Sequence, residues 1–292
     1  RTIRNKRYMI EHHIIPLLGN KAMDSITPAD IIQWQDEIRS KGFKETYQRM
    51  LQNQMTALFT HATKIYNLKD NPCTKVKRMG RADADKKQLQ FWTLDEFNCF
   101  IGTFDLGSKY HVLFDLLFYS GCRIGEALAL TASDIDTVNR RIFITKTYFR
   151  HKGKDEITEP KTRESVRTVI IPEFLAEELK AYMASMYKLP VDERIFAVVP
   201  EAVQHVMKRH ADKAGVKYIR VHDLRHSSCA YLIHLGVQPM IIKERLGHKD
   251  IRITLNTYGH LYPSEQEKVA DMLDKMAGIK ENAPAGNKGI SE

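Results

Sequence analysis

Cysteine is scarce here, and the four present are scattered. Cys73, Cys99, Cys122 and Cys229 form no CxxC pair. That excludes a disulfide scaffold and a cysteine zinc site, and it fits a reducing cytoplasm. No apolar run approaches the roughly 20 residues of a membrane span, and no secretory signal opens the chain. Although there are 12 histidines, His12 and His13 are adjacent rather than four apart, and no HExxH or carboxylate-rich cluster accompanies them. A metal hydrolase is therefore disfavoured, and no metal is expected. Internal repeats are also lacking. The first third is short of acid: residues 1–90 hold 17 Lys/Arg against 9 Asp/Glu, whereas residues 91–292 hold 28 against 27.

That imbalance carries most of the formal charge of +9. A basic N-terminal third suggests a polyanion partner, because neutralising phosphates releases counterions. On charge alone, a merely soluble basic surface is an equal alternative. The 292 residues, 43% apolar and 28% charged, suit a soluble globular protein of two domains. The first residue is Arg1 rather than methionine, which leads us to expect a start further upstream.

Residues 1–72 read as helical. Tyr8, Ile10, Ile14 and Leu17 form a loose stripe ended by Gly19. Thr27-Pro28 is an N-cap with proline at the first helical position, followed by Ile31, Trp34 and Ile38, with Gly42 past the end. Met50 to Tyr66 is a further helix, stopped by Asn71-Pro72. Residues 73–90 have few apolar residues and many charges, as an interdomain linker would. Thr93-Leu-Asp-Glu96 is a capping box that opens a second domain over 91–277. Its residues 110–119 are apolar enough to be buried. The segments 141–146 and 166–171 have strand composition, and the polar stretch Thr147 to Ser165 between them predicts a hairpin with an extended tip. Helices are expected at 173–187, 203–214, 222–235, 239–246 and 264–276, and a disordered tail at 278–292. The fold class is mostly α with a small antiparallel β-sheet.

The chemistry concentrates in two places: Gly121-Cys122-Arg123-Ile124-Gly125-Glu126, and a later series of His222, Arg225, His226, Leu246-Gly247-His248 and Tyr258. Cleaving a phosphodiester spreads negative charge over non-bridging oxygens, which guanidinium forks match bidentately. A nucleophile must attack and the leaving oxygen must be protonated. Without a metal, the protein supplies all the positive charge. Arg123, Lys161, Arg225, His222 and His248 could supply it, and Tyr258 could attack. His222 and Arg225 share a face if they lie on one helix. Gly247 fits a helix C-cap, which puts His248 at a sharp turn. Tyr258 sits in a polar segment, where an exposed hydroxyl is expected. Singly, each residue has a bland role: a solvated arginine or lysine, a packing tyrosine. The joint arrangement is the informative quantity.

That arrangement resembles the tyrosine recombinases, or phage-integrase-type recombinases, over nearly the whole chain. Gly121, Arg123 and Glu126 match the context of the family's first arginine. Pro160-Lys161-Thr162 matches its hairpin lysine, although Lys152 and Lys154 lie on the same tip. His222, Arg225 and His226 match the His-x-x-Arg-His box, His248 the Leu-Gly-His turn, and Tyr258 the nucleophile. By this resemblance Tyr258 forms a 3′-phosphotyrosine, Arg123 and Arg225 clamp the phosphate, Lys161 protonates the 5′-oxygen, His222 assists proton transfer at Tyr258 and His248 bonds the phosphate. Glu126 would orient a neighbouring arginine or histidine. Neither ATP nor any other cofactor is implied. Residues 1–72 resemble the family's core-DNA-binding domain. The linker residues Lys75, Lys77, Arg78, Arg81, Lys86 and Lys87 would contact phosphates, with a solvated tether as the alternative.

The implied partner is double-stranded DNA with specific sites, bound by a homotetramer that exchanges strands through a Holliday junction, with an accessory bending or directionality factor. Helix 264–276, with Val269, Met272, Leu273 and Met276 on one stripe, would pack either into a neighbouring protomer or on its own domain. The Pro-Lys-Thr hairpin followed by the run 165–172 is similar to integrases of phages and conjugative transposons, many of which carry a further N-terminal arm-binding domain. A bacterial, nucleoid-associated location is implied. Two other readings compete: a type IB topoisomerase-like enzyme with the same chemistry, and a non-catalytic DNA-binding protein.

Overall fold

The computed structural model describes residues 2–81, 89–160, 162–188, 190–259 and 273. The chain divides at Gln88/Leu89 into two compact units. The first contains α1 (Thr2–His13), α2 (Ile15–Leu18), α3 (Pro28–Ser40) and α4 (Glu45–Ile65), followed by a 3-10 turn at Pro72–Lys75. α3 starts where the sequence signals it. Thr27 accepts the Asp30 backbone N–H, Asp30 returns a bond to the Thr27 backbone, and Pro28 takes the first turn. Ile31, Trp34 and Ile38 then bury against Leu51, Met55 and Phe59 of α4.

The expected stripe along α1 and α2 holds at Ile10 and Ile14 but not at its two ends. Tyr8 and Leu17 are exposed, whereas Met9, His13, Ile14 and Leu18 are buried. Polar anchoring sets this phase: the His13 carbonyl accepts the Trp34 indole N–H at 2.7 Å, and its ring meets the Tyr47 hydroxyl at 3.1 Å.

The expected linker also needs correction, because its first part belongs to the first unit. Cys73 and Met79 are buried in that core. Asn71 is the cause. Its side-chain oxygen accepts the Cys73 N–H at 2.9 Å, and its amide donates to Thr60 Oγ1 at 3.1 Å, which pins the segment to α4. Residues 82–88, with Lys86 and Lys87, lie outside the described residues.

In the second unit, α5 (Leu94–Ile101) is closed by the Thr93/Glu96 capping box. α6 (Lys109–Ser120) is buried along almost its whole length and ends at Gly121, which takes φ 66°. α7 (Ile124–Ala127) follows directly. Then β1 (Ile135–Asp136), β2 (Arg141–Ile144) and β5 (Arg167–Ile170) form an antiparallel sheet in the order β1-β2-β5. Ile142 pairs with Val169, and the two point to the core while Phe143 and Thr168 face outward.

The two predicted strands do pair, but the segment between them is more than a tip. β3 (Thr147–His151) and β4 (Lys154–Thr158) make a second, separate two-stranded sheet. Its turn, Lys152-Gly153, has φ of 48° and 80°, the double positive that two-residue hairpins use.

The remaining helices are α8 (Glu173–Ser185), α9 (Pro200–Ala214), α10 (Asp223–His234), α11 (Pro239–Leu246) and α12 (Ile251–Tyr258). α12, capped by Asp250, replaces the polar loop expected around Tyr258. The predicted helix at 264–276 and the tail lie outside the described residues, Leu273 apart. No helix among the described residues is long and apolar enough to cross a membrane.

Candidate active site

Gly121 begins the site. A Cβ there would meet Leu246 Cδ2 at 2.6 Å and Ser228 Oγ at 3.1 Å, so only glycine fits this left-handed turn. The tight approach brings the end of α6 against α10 and α11. Arg225 of α10 donates from Nη1 to the Gly121 carbonyl at 2.9 Å and from Nη2 to the Leu246 carbonyl at 2.5 Å. The ends of α6 and α11 are thus tied together by one guanidinium. Burial, then the neighbouring Arg123, lower Arg225 to about 10, and it stays charged at neutral pH.

Arg123 caps α7 and is the more open of the two arginines. Its backbone N–H donates to Glu126 Oε2 at 2.8 Å and its Nη1 to Glu126 Oε1 at 2.7 Å. Arg167 of β5 reaches Glu126 Oε2 at 2.9 Å from another direction. Burial alone would raise the Glu126 carboxyl, but Arg167 and then Arg123 outweigh it and hold the group below its ordinary value. Arg167 also donates to the carbonyls of Arg245 (2.7 Å) and Ser165 (3.0 Å).

Gly247, with φ 66°, packs on Arg167. A Cβ there would lie 3.0 Å from Arg167 Cδ and from the Glu164 carbonyl. The turn places His248, whose Nδ1 is 2.9 Å from Thr254 Oγ1. Burial, then Arg225 and Arg123, push His248 down to about 4. His222, at the N-cap of α10, is likewise lowered, by burial first and then Arg225.

Tyr258 departs from expectation. Its side chain is 2% exposed and packs with Cys229, Ile233, Ile242 and Leu246. The apolar partners come from α10 and α11, so the polar sequence around Tyr258 gives no hint of them. The phenol nevertheless lines the cavity wall, and its hydroxyl shares a hydrogen bond with His226 Nδ1. Burial, then Cys229, push the phenol above its ordinary value. His222 stands edge-on to His226, with ring centroids 5.5 Å apart.

Arg123, His222, Arg225, His226, His248 and Tyr258 all line one cavity of about 540 Å³. Glu126 is the single carboxylate on its wall among the described residues. Pro160 and Thr162 also line it, whereas Lys161 between them lies outside the described residues. Five predicted residues, Arg123, His222, Arg225, His248 and Tyr258, are thus brought together with Glu126. Sequence reasoning assigned no task to His226 and missed Arg167. An arginine at the start of a β-branched strand, two residues after Ser165, was the only trace of the latter.

Outside this cavity, His111, Asp115 and Glu178 are the one His/carboxylate group close enough to hold a metal ion among the described residues. They tie α6 to α8, with His111 Nδ1 2.5 Å from Glu178 Oε1. Burial, then Glu178, push Asp115 up to about 8.

In the first unit, Lys75 pairs with Asp70 and Arg81 with Glu45, while Lys77 and Arg78 are exposed. Arg78 borders a hollow on α4 with Thr56, Thr60, His61 and Lys64.

A cavity walled by guanidiniums and imidazoles with a buried phenol holds the kinds of group that phosphodiester chemistry calls for. Residues 90–265 match the phage integrase family, and residues 1–39 match the phage integrase N-terminal SAM-like domain. The chain belongs to the phage integrase family. It is a tyrosine recombinase of the integrase kind, an enzyme that cuts and rejoins DNA strands. It is 30% identical over 287 residues to the ICEBs1 integrase of Bacillus subtilis (strain 168), covering 94% of this chain and 77% of that one. With the integrase of Mycobacterium phage L5 it shares 25% over 277 residues, 91% and 72% of the two chains. The fold is similar to that of the Tn1549 transposon integrase in complex with transposon right end DNA, at a TM-score of 0.75 and 20% identity, covering 95% of this chain and 94% of that one.

Proposed function

We propose that this recombinase moves a mobile element by cutting and rejoining duplex DNA at specific sites through a 3′-phosphotyrosine. The observation that carries this reading is the convergence of Tyr258, Arg123, Arg225, His222 and His248 on one cavity. In it, Tyr258 attacks the scissile phosphate, and the bond energy is kept in the phosphotyrosine, so neither ATP nor metal is required. Arg225, locked by two carbonyls, and Arg123, held by Glu126, present their remaining N–H groups to the non-bridging oxygens. His248 and His222 add donors at the phosphate, and Lys161 protonates the departing 5′-oxygen. The relatives' names support a mobile-element role: one is the integrase of ICEBs1 and others are phage integrases.

The first unit serves as the core-DNA-binding domain, with the exposed Lys77 and Arg78 among its phosphate contacts. Four protomers bring two DNA sites together and exchange strands through a Holliday junction, helped by a bending or directionality factor. The enzyme works at the nucleoid of a bacterial cytoplasm.

Covalent trapping tests this. The protein is incubated with DNA spanning the ends of candidate mobile elements, quenched with SDS, and the attached DNA is sequenced. DNA joined by its 3′ phosphate to Tyr258 is the expected result. A gel shift without any adduct would overturn the catalytic reading in favour of a DNA-binding protein.

A further inference from the structure

Family resemblance gives proton transfer at the nucleophile to His222. The geometry points to a different residue: we infer that His226 takes the proton from Tyr258 as the new phosphorus–oxygen bond forms. This inference rests on Tyr258 being the nucleophile.

Three observations carry it. First, His226 Nδ1 is hydrogen-bonded to the Tyr258 hydroxyl, whereas His222 meets His226 edge-on. Second, both His226 and Tyr258 line the cavity that holds Arg123 and Arg225, so the proton is removed where the phosphate sits. Third, the surroundings keep the imidazole neutral. Burial, then His222, lower His226 to about 4. A neutral ring with its proton on Nε2 has a free lone pair on Nδ1, as a proton acceptor needs.

The step balances as follows. The Tyr258 oxygen bonds to phosphorus while its proton passes to His226 Nδ1. The bond from phosphorus to the 5′-oxygen breaks, and that oxygen is protonated by a separate acid. Resealing reverses both transfers, and His226 returns the proton to the phenol. Phenol and imidazole are mismatched in the free enzyme, because burial raises one and lowers the other. Transfer is therefore coupled to attack, when the developing phosphotyrosine no longer competes for the proton.

The test compares wild type, His226→Ala, His226→Asn, His222→Asn and Tyr258→Phe on a nicked suicide duplex built on the sequence recovered by covalent trapping. Each is run with the normal 5′ bridging oxygen and with sulfur in its place, which leaves without protonation. Asparagine can accept the phenol hydrogen bond but cannot take the proton. We expect His226→Ala and His226→Asn to slow adduct formation at least 100-fold on both substrates, with gel-shift affinity and thermal unfolding near wild type for the asparagine variant. Wild-type rates with His226→Asn would reduce the residue to a positioning contact and overturn the inference. Rescue by sulfur would also overturn it, by placing His226 at the leaving group. Adduct surviving in Tyr258→Phe would instead remove the nucleophile assignment beneath it. A DNA-independent check is the tautomer seen by ¹⁵N NMR between pH 6 and 8: a bare Nδ1 on His226 supports the inference, and a protonated Nδ1 opposes it.

Discussion

Arg167 closes on Glu126 at 2.9 Å, with only 6% of the arginine and 3% of the glutamate side chain exposed. Breaking a buried pair costs about 3–5 kcal/mol, with the second bond from Arg123 to Glu126 placing Arg167 variants at the lower end, whereas replacing both members with apolar residues is often nearly neutral. Arg167→Leu should therefore destabilise the enzyme on that scale in urea unfolding, and Arg167→Leu with Glu126→Leu should recover much of the loss. A single variant within about 1 kcal/mol of wild type would contradict the pairing.

Arg225→Lys is expected to bind its DNA site and to cut it poorly. A lysine ammonium cannot reach the Gly121 and Leu246 carbonyls together and still present a planar fork to phosphate. Loss of one such donor typically costs about 100- to 1,000-fold in rate. Single-turnover adduct formation is the measurement, and an undiminished rate would rule out the clamp.

Acid should unfold this protein partly through its neutral histidines. His226 and His248 are lowered to about 4, against about 6.5 in an unfolded chain. As pH falls through 6.5 the unfolded chain takes up protons first, so this contribution to stability declines from about 6.5 down to about 4. His248→Asn should make the loss shallower by up to about 1.4 kcal/mol per pH unit in that window. Identical slopes for variant and wild type would show that His248 is not held neutral.

DNA binding should weaken steeply with salt, and the first unit's exposed cations should share in that slope. Lys77→Ala and Arg78→Ala should each reduce the log–log salt slope by about one, weakening all sequences alike. Lys75, engaged by Asp70, should matter less. A slope that is flat, or unchanged in Arg78→Ala, would exclude the proposed phosphate contact.

Local signals carried over well from sequence to structure. The caps at Thr27 and Thr93, the apolar α6 and the pairing of 141–144 with 167–170 all arise from nearby chemistry. What stayed hidden depends on partners distant in sequence. Asn256, Thr257 and Gly259 around Tyr258 read as polar loop, and Tyr258 is buried by side chains of α10 and α11. Arg167 acquires meaning only through Glu126, 41 positions away, and the Arg245 carbonyl, 78 away. Asn71 looked like a helix stop, yet its side chain turns a seeming tether into core.

The guanidiniums of Arg123, Arg167 and Arg225 gather around one carboxylate, and this excess has a cost before any DNA arrives. Like charges held together inside a fold oppose folding. An anion drawn into the cavity relieves that repulsion, so ligand and fold stabilise one another. Simple oxyanions such as sulfate should thus protect the protein from heat while competing with DNA for the same seat. Its thermal stability becomes a reporter of site occupancy, read without any knowledge of the target sequence.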